Sequence, residues 1–208
     1  MTQVKPQYPE NLDLDLCNSL LAGVSPEAQE KIKGTTYAQM VSELSKPGEA
    51  IVEKMTFDKF VTLTRAAVLM VNAGHGLDQA KRIAIYNKED VQPAERYVLP
   101  TSQGLDQSLA ALTPEKAHLL HMAIGLVGEG AEMLAAVLDH VFGGQLDVDN
   151  ILEEGGDASF FIQGLLGPVG LSMQTAGFAN MVKLLGKRYP KGYSDAAAQE
   201  RADKEPGQ

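Results

Sequence analysis

The sequence predicts an all-α helical bundle. Three observations carry this: apolar residues recur at helical spacing, β-branched strand-like runs are scarce, and helix caps punctuate the chain. At 208 residues the chain can bury a substantial core, and its 44% hydrophobic and 22% charged content is ordinary for a globular protein. A net charge of -9 argues against a nucleic-acid polymer or an anionic membrane as partner. Cys17 is the only cysteine, which excludes intrachain disulfides and thiolate zinc clusters. No apolar run reads as long enough to span a bilayer, and the opening MTQVKPQYPENLD lacks a signal peptide's apolar stretch, so a cytoplasmic setting is expected (the host's, for a viral chain).

In the first half, Ser25-Pro26-Glu27 supplies an N-cap, a first-turn proline and an acid, opening a short helix that stops near Gly34. A second covers Tyr37 to Ser45 and ends before Lys46-Pro47-Gly48. Thr56 caps a longer one, Phe57 to Val71, with Phe60, Leu63, Ala67 and Met70 as its buried side, and Leu77 to Tyr86 forms another. Asn87 to Gln107, with Pro93, Pro100 and Gly104, reads as a long surface connection.

The second half is cleaner. Thr113-Pro114-Glu115 opens a helix that runs to Phe142 and stops at Gly143-Gly144. Asp147 or Asp149 caps the next, which breaks at Gly167-Pro168, and Ser172 caps a third that reaches Arg188 or Tyr189. Ser194 begins a short polar helix, and residues 204–208 fray. The chain thus divides into an N-terminal helical extension (1–55), a helical domain (56–203) with an inserted connection around 87–112, and the frayed tail.

Two acidic words lie in the first two of these long helices: Glu129-x-x-Glu132 and Glu154-x-x-Asp157. Residues three apart on a helix differ by about 60° around the axis and ~4.5 Å along it, so each pair projects from one face. Antiparallel packing of the two helices places four carboxylates in one patch, where they raise one another's pKa unless cations neutralise them. Hard divalent ions such as Mg²⁺ suit oxygen ligands of this kind. A random acidic pair is usually a solvated helix face. Here, however, Leu126, Val127, Met133 and Leu134 surround one word, and Ile151, Leu152, Phe160 and Phe161 the other. Gly125, Gly128, Gly130, Gly155 and Gly156 are interspersed. Glycine costs a helix about 1 kcal/mol each, so their density implies close approach of another helix or a ligand.

The third helix carries Asn180, Lys183 and Lys187 as one polar stripe, followed by Arg188 and Tyr189. Cations there can hold a polyphosphate and a tyrosine can stack on a base, although Lys187 and Arg188 alone would merely complement a helix dipole.

The run Leu126-Val-Gly-Glu129-Gly-Ala-Glu132, then Leu152-Glu-Glu154-Gly-Gly-Asp157, then Asn180-x-x-Lys183-Leu and Lys187-Arg188-Tyr189-Pro190-x-Gly192-Tyr193-Ser194, resembles the MazG-type all-α nucleoside triphosphate pyrophosphohydrolases. The likeness covers about the last hundred residues and is nearest to phage-borne members with a GExxE first word, Gly128 standing where the widespread form has another acid. The Phe57–Val71 helix would supply the family's preceding helix.

The resemblance implies hydrolysis between the α- and β-phosphates, with Glu129, Glu132, Glu154 and Asp157 holding Mg²⁺ (Mn²⁺ as substitute) and one glutamate, Glu129, orienting or deprotonating water. It implies that Asn180, Lys183, Lys187, Arg188 and Tyr189 contact the nucleotide, and that the chain is a homo-oligomer, dimer or tetramer. Phage enzymes of this group that turn dGTP into dGMP are one candidate for specificity; the residues themselves do not fix base or sugar. Two readings compete. A di-iron bundle would need two Glu-x-x-His words, and Glu115-Lys-Ala-His118 is the only one, about 16 Å from Glu129. A non-catalytic helical module with a solvated acidic face is the other.

Overall fold

The computed structural model describes residues 25–84 and 96–184, together with positions 18, 22, 23, 88, 92, 188, 194 and 197. Among these residues every regular element is helical, and the chain is an all-α helical bundle. It divides into two compact units, Met1–Ser45 and Lys46–Gln208.

The first unit holds α1 (Pro26–Gly34) and α2 (Tyr37–Leu44). Ser25 accepts a hydrogen bond from the Ala28 amide, as its place before Pro26 requires. Thr36 and Gln39 form a reciprocal capping box at α2, which ends at Leu44.

The second unit begins ten residues earlier than the sequence suggests, because Gly48–Glu53 is a helix (α3) that packs on the long helix α6 (Pro114–Val141). Pro47-Gly48, read as a stop, opens that helix. Gly48 is buried, and a Cβ there would collide with the Pro114 carbonyl. Glycine is what lets the two backbones approach so closely.

Where the sequence suggests two helices, α4 is one, Phe57–Ala84, running straight through Gly74 and Gly76. Phe60 is buried and Leu63 and Ala67 are half-buried, but Met70 is exposed. Asp78 ties the last turns by ion pairs to Lys81 (2.6 Å) and Arg82 (2.7 Å), and the hydrogen bond from Lys81 holds its carboxyl below the usual range.

The connection that follows is fastened to this helix. Asn72 donates to the Tyr97 carbonyl (3.1 Å) and accepts from its amide (2.9 Å), while Gln79 donates to the Gln92 carbonyl (3.0 Å). Asn72 and Gln79 lie two turns apart on one helix face, so Tyr97 and Gln92 are held at two points along α4. Within the stretch read as loop, α5 (Ser102–Ala110) is capped by Thr101, which accepts from the Gly104 amide. The main partner of α4 is α5; α6 packs instead on α3 and α7 (Val148–Leu166).

The α6–α7 hairpin is the centre of the unit. Thr113 and Asp147 cap its helices. Between them Gly143 takes a φ of 104°, a left-handed conformation that favours glycine, and His140 Nδ1 donates to the Gly144 carbonyl. Met122 is fully buried, with Ala117 and Ala158 beside it in the core. The two helices are in one antiparallel register: His118 faces Gly164 and His121 meets the edge of Phe161. After Leu166 a 3₁₀ turn (Gly167–Val169) ends at Gly170 in the left-handed region, and Ser172 caps α8 (Met173–Lys183), which packs on α7. Ser194 accepts from the Ala197 amide, the bond expected of a helix start there.

Contrary to the sequence reading, α6 is long and apolar enough over 18 residues to meet the composition of a membrane span, and very little of that stretch is buried. Glu129 and Glu132 lie within the same helix.

Candidate metal centre

The hairpin register brings the two acidic words together. Glu129 projects from α6, Glu154 and Asp157 from α7, and one oxygen of each lies within 4.8 Å of the others. Two oxygens on opposite sides of a cation with bonds of about 2.1–2.4 Å are ~4.2–4.8 Å apart, so the three carboxylates can close on one ion. Glu132 stands outside this set. It is exposed, and it reaches Glu154 by a hydrogen bond instead. Sequence spacing gives no sign of this inequality; it follows from where each residue falls around the helix relative to the partner.

Glu154 is the focus of the cluster. It is buried, with 7% of its surface exposed, whereas Asp157 is exposed and Glu129 half-buried. The hydrogen bond with Glu129 is the main influence raising its pKa above the ordinary 4.5, followed by burial; the bond with Glu132 acts in the opposite direction. Among the described residues no lysine or arginine forms an ion pair with any of the four acids. A buried carboxylate facing two more without a cation is unfavourable, and a divalent ion relieves it.

A carboxyl with a raised pKa in the folded protein favours folding below pH 4.5, and this contribution is lost as the pH rises through the raised value. At neutral pH the cluster therefore costs the metal-free fold.

The glycines around the acids do not all serve close packing. Only Gly125 does: a Cβ there would strike the Phe161 ring, which is braced edge-on by Phe160 at 5.5 Å. Gly128, Gly130, Gly155 and Gly156 have no atom within 4 Å of the Cβ position. Among the described residues, no neighbouring helix comes close to these Cβ positions. Their lack of side chains keeps the surroundings of the acids open.

The polar stripe is placed only in part. Asn180 and Lys183 are exposed on α8, and among the described residues neither forms a hydrogen bond or ion pair with the acids. Arg188 is half-buried. Lys187 and Tyr189 lie outside the described residues.

His118 and His121 lie within the α6–α7 helix pair. His118 Nε2 donates to the Gly164 carbonyl at 3.0 Å. Burial, then the proximity of His118 and Lys46, lowers the pKa of His121, which favours its neutral form inside the helix pair.

The chain was compared with protein-family models, with curated proteins and with solved structures, and none of them matches.

Proposed function

We propose that the protein is a Mg²⁺-dependent nucleoside triphosphate pyrophosphohydrolase of the MazG type. The observation that carries this reading is the convergence of Glu129, Glu154 and Asp157 to within 4.8 Å across the hairpin, with Glu154 buried and, among the described residues, in no ion pair with a lysine or arginine. The order of acidic words and basic helix adds the substrate class by resemblance.

In this reading Glu129, Glu154 and Asp157 hold the metal, with Mn²⁺ as a substitute. When bound there, the ion would neutralise the triphosphate and lower the pKa of a water. Water attacks the α-phosphorus, the bond to the bridging oxygen breaks, and a nucleoside monophosphate and pyrophosphate leave. Glu132, outside the three-carboxylate set, is freer than Glu129 to accept the proton. Asn180, Lys183, Lys187, Arg188 and Tyr189 would contact the nucleotide, with purine deoxynucleotides such as dGTP among the substrates. The open space at Gly128, Gly130, Gly155 and Gly156 leaves room for a bulky anion.

The test is a panel of ribo- and deoxynucleoside triphosphates with Mg²⁺, products separated by chromatography. Turnover with Mg²⁺ and none with a chelator is expected. A chain that hydrolyses no member of the panel, yet is folded, would return the cluster to a solvated face.

The protein also acts as a homo-oligomer in this reading. Val127, Leu134, Leu138 and Val141 on α6 and Leu152 on α7 are all at least 40% exposed, while the described residues contain only six buried apolar side chains. Apolar surface on this scale normally meets a partner. Light scattering is expected to give at least a dimer at micromolar concentration; a fully active monomer would contradict this.

A further inference from the structure

Pro168 creates a vacancy that His118 fills. In a continuing helix the carbonyl of Gly164 would accept the amide four residues on, but residue 168 is proline and has no N–H. The Gly167 amide is already given to Gln163. Gly164 is buried, so a carbonyl left without a donor there would cost roughly 1–3 kcal/mol. His118 supplies the donor from the neighbouring helix, Nε2 to oxygen at 3.0 Å.

This bond differs from its immediate surroundings at this end of the α6–α7 pair. On these two helices Ala117, Met122 and Ala158 are buried, and His121 meets the edge of Phe161. Such surfaces resist separation but have little preference for one axial position over a neighbouring one. A hydrogen bond to a single carbonyl does have that preference. It lies at the open end of the hairpin, opposite the Gly143-Gly144 turn, so the two together fix both ends of the pair. His118 precedes Glu129 by eleven residues and Gly164 follows Glu154 by ten, so the acids lie about 15–16 Å away along both helices in the same register.

We propose that His118 is a positioning residue for the metal centre: by clamping the carbonyl that Pro168 leaves free, it sets the axial register that carries Glu154 to Glu129. This rests on the metal reading above.

Stability and register can be separated by four variants. His118→Leu removes the clamp and strands the carbonyl. His118→Gln keeps a donor where Nε2 stands. Pro168→Ala gives Gly164 a donor within its own helix, and His118→Leu/Pro168→Ala satisfies the carbonyl while leaving the helices unclamped. Mn²⁺ affinity by calorimetry and thermal unfolding of the metal-free protein are measured for each, at a temperature where all are folded. Expected are a lower Tm and at least tenfold weaker Mn²⁺ binding for His118→Leu, and near-wild-type values for His118→Gln and Pro168→Ala. The double variant should recover the Tm but not the affinity.

If His118→Leu binds Mn²⁺ as wild type does, or if the double variant regains affinity along with Tm, His118 is only a stabilising residue and the proposal is overturned. A wild type that binds no Mn²⁺ overturns the metal reading and the positioning role together. The Tm values still report whether the bond to Gly164 exists, so the two failures remain distinct.

Discussion

Glu154→Gln is expected to abolish at least 99% of nucleotide hydrolysis while making the metal-free protein more stable. The substitution keeps the side chain's shape and removes the charge that Glu129 and burial most disfavour. Without that charge the hard-metal ligand is weakened, and a hundredfold loss in rate is about 2.7 kcal/mol of transition-state stabilisation. Stability moves the other way because a buried carboxylate no longer faces two others at neutral pH. Glu129→Gln and Asp157→Asn should lose activity to a similar degree, since both contribute to the same close set. Glu132→Gln should also inactivate, but with metal affinity better preserved, because Glu132 stands outside that set. Glu153→Gln is the internal control. Its side chain is exposed, about 100° around the helix from Glu154, and should matter little. The assay is hydrolysis under saturating Mg²⁺, paired with thermal unfolding in a chelator. Inactivation by Glu153→Gln but not by Glu154→Gln would show the helix register to be wrong; five active variants would mean a solvated face.

Gly48→Ala is expected to destabilise the fold markedly. The added methyl would land on the Pro114 carbonyl, which is backbone at the start of α6 and cannot swing aside as a side chain can. Overpacking of this kind costs about 1–3 kcal/mol, and for a chain of this size each kcal/mol lowers the Tm by roughly 2–4 °C. A fall of ~2–12 °C is therefore predicted. Gly74→Ala supplies the contrast. It sits mid-helix and exposed in α4 with nothing within 4 Å, so the same methyl should stabilise by about 0.5–1 kcal/mol. Unfolding curves of the two should shift in opposite directions. A Gly48→Ala variant with the wild-type Tm would contradict the contact between α3 and α6.

The legible parts of this fold are those written in local chemistry. Ser25, Thr113, Asp147 and Ser172 each read as a cap, and each accepts a backbone amide at the start of its helix. The acidic spacing was likewise sufficient to place Glu129, Glu154 and Asp157 near one another once the short Gly143-Gly144 link made α6 and α7 antiparallel neighbours.

What could not be read depends on contacts distant in sequence. Pro47-Gly48 looks like a stop, and only the approach of Pro114 shows why a glycine begins a helix there. The sequence reads two helices, Phe57–Val71 and Leu77–Tyr86, yet α4 runs unbroken from Phe57 to Ala84, with Asn72 and Gln79 bonded to Tyr97 and Gln92. Thr101 was hidden as a cap by the prolines and glycine around it. The glycines beside the acids looked alike, but Gly125 meets Phe161 and the others meet open space, a difference set wholly by the partner helix. The bond between His118 and Gly164 had a sequence signal in Pro168, which frees a carbonyl four residues earlier; what supplies the donor depends on register across the hairpin.

The central claim is hydrolysis at the α-phosphate with the metal held by Glu129, Glu154 and Asp157, and the phosphorus product tests it most directly. With the preferred triphosphate from the panel and Mg²⁺, ³¹P spectra taken at early times should show monophosphate and pyrophosphate in equal amounts, with no reaction in the Glu154→Gln variant. Nucleoside diphosphate and orthophosphate as primary products would mean attack at the γ-phosphate and would contradict the account.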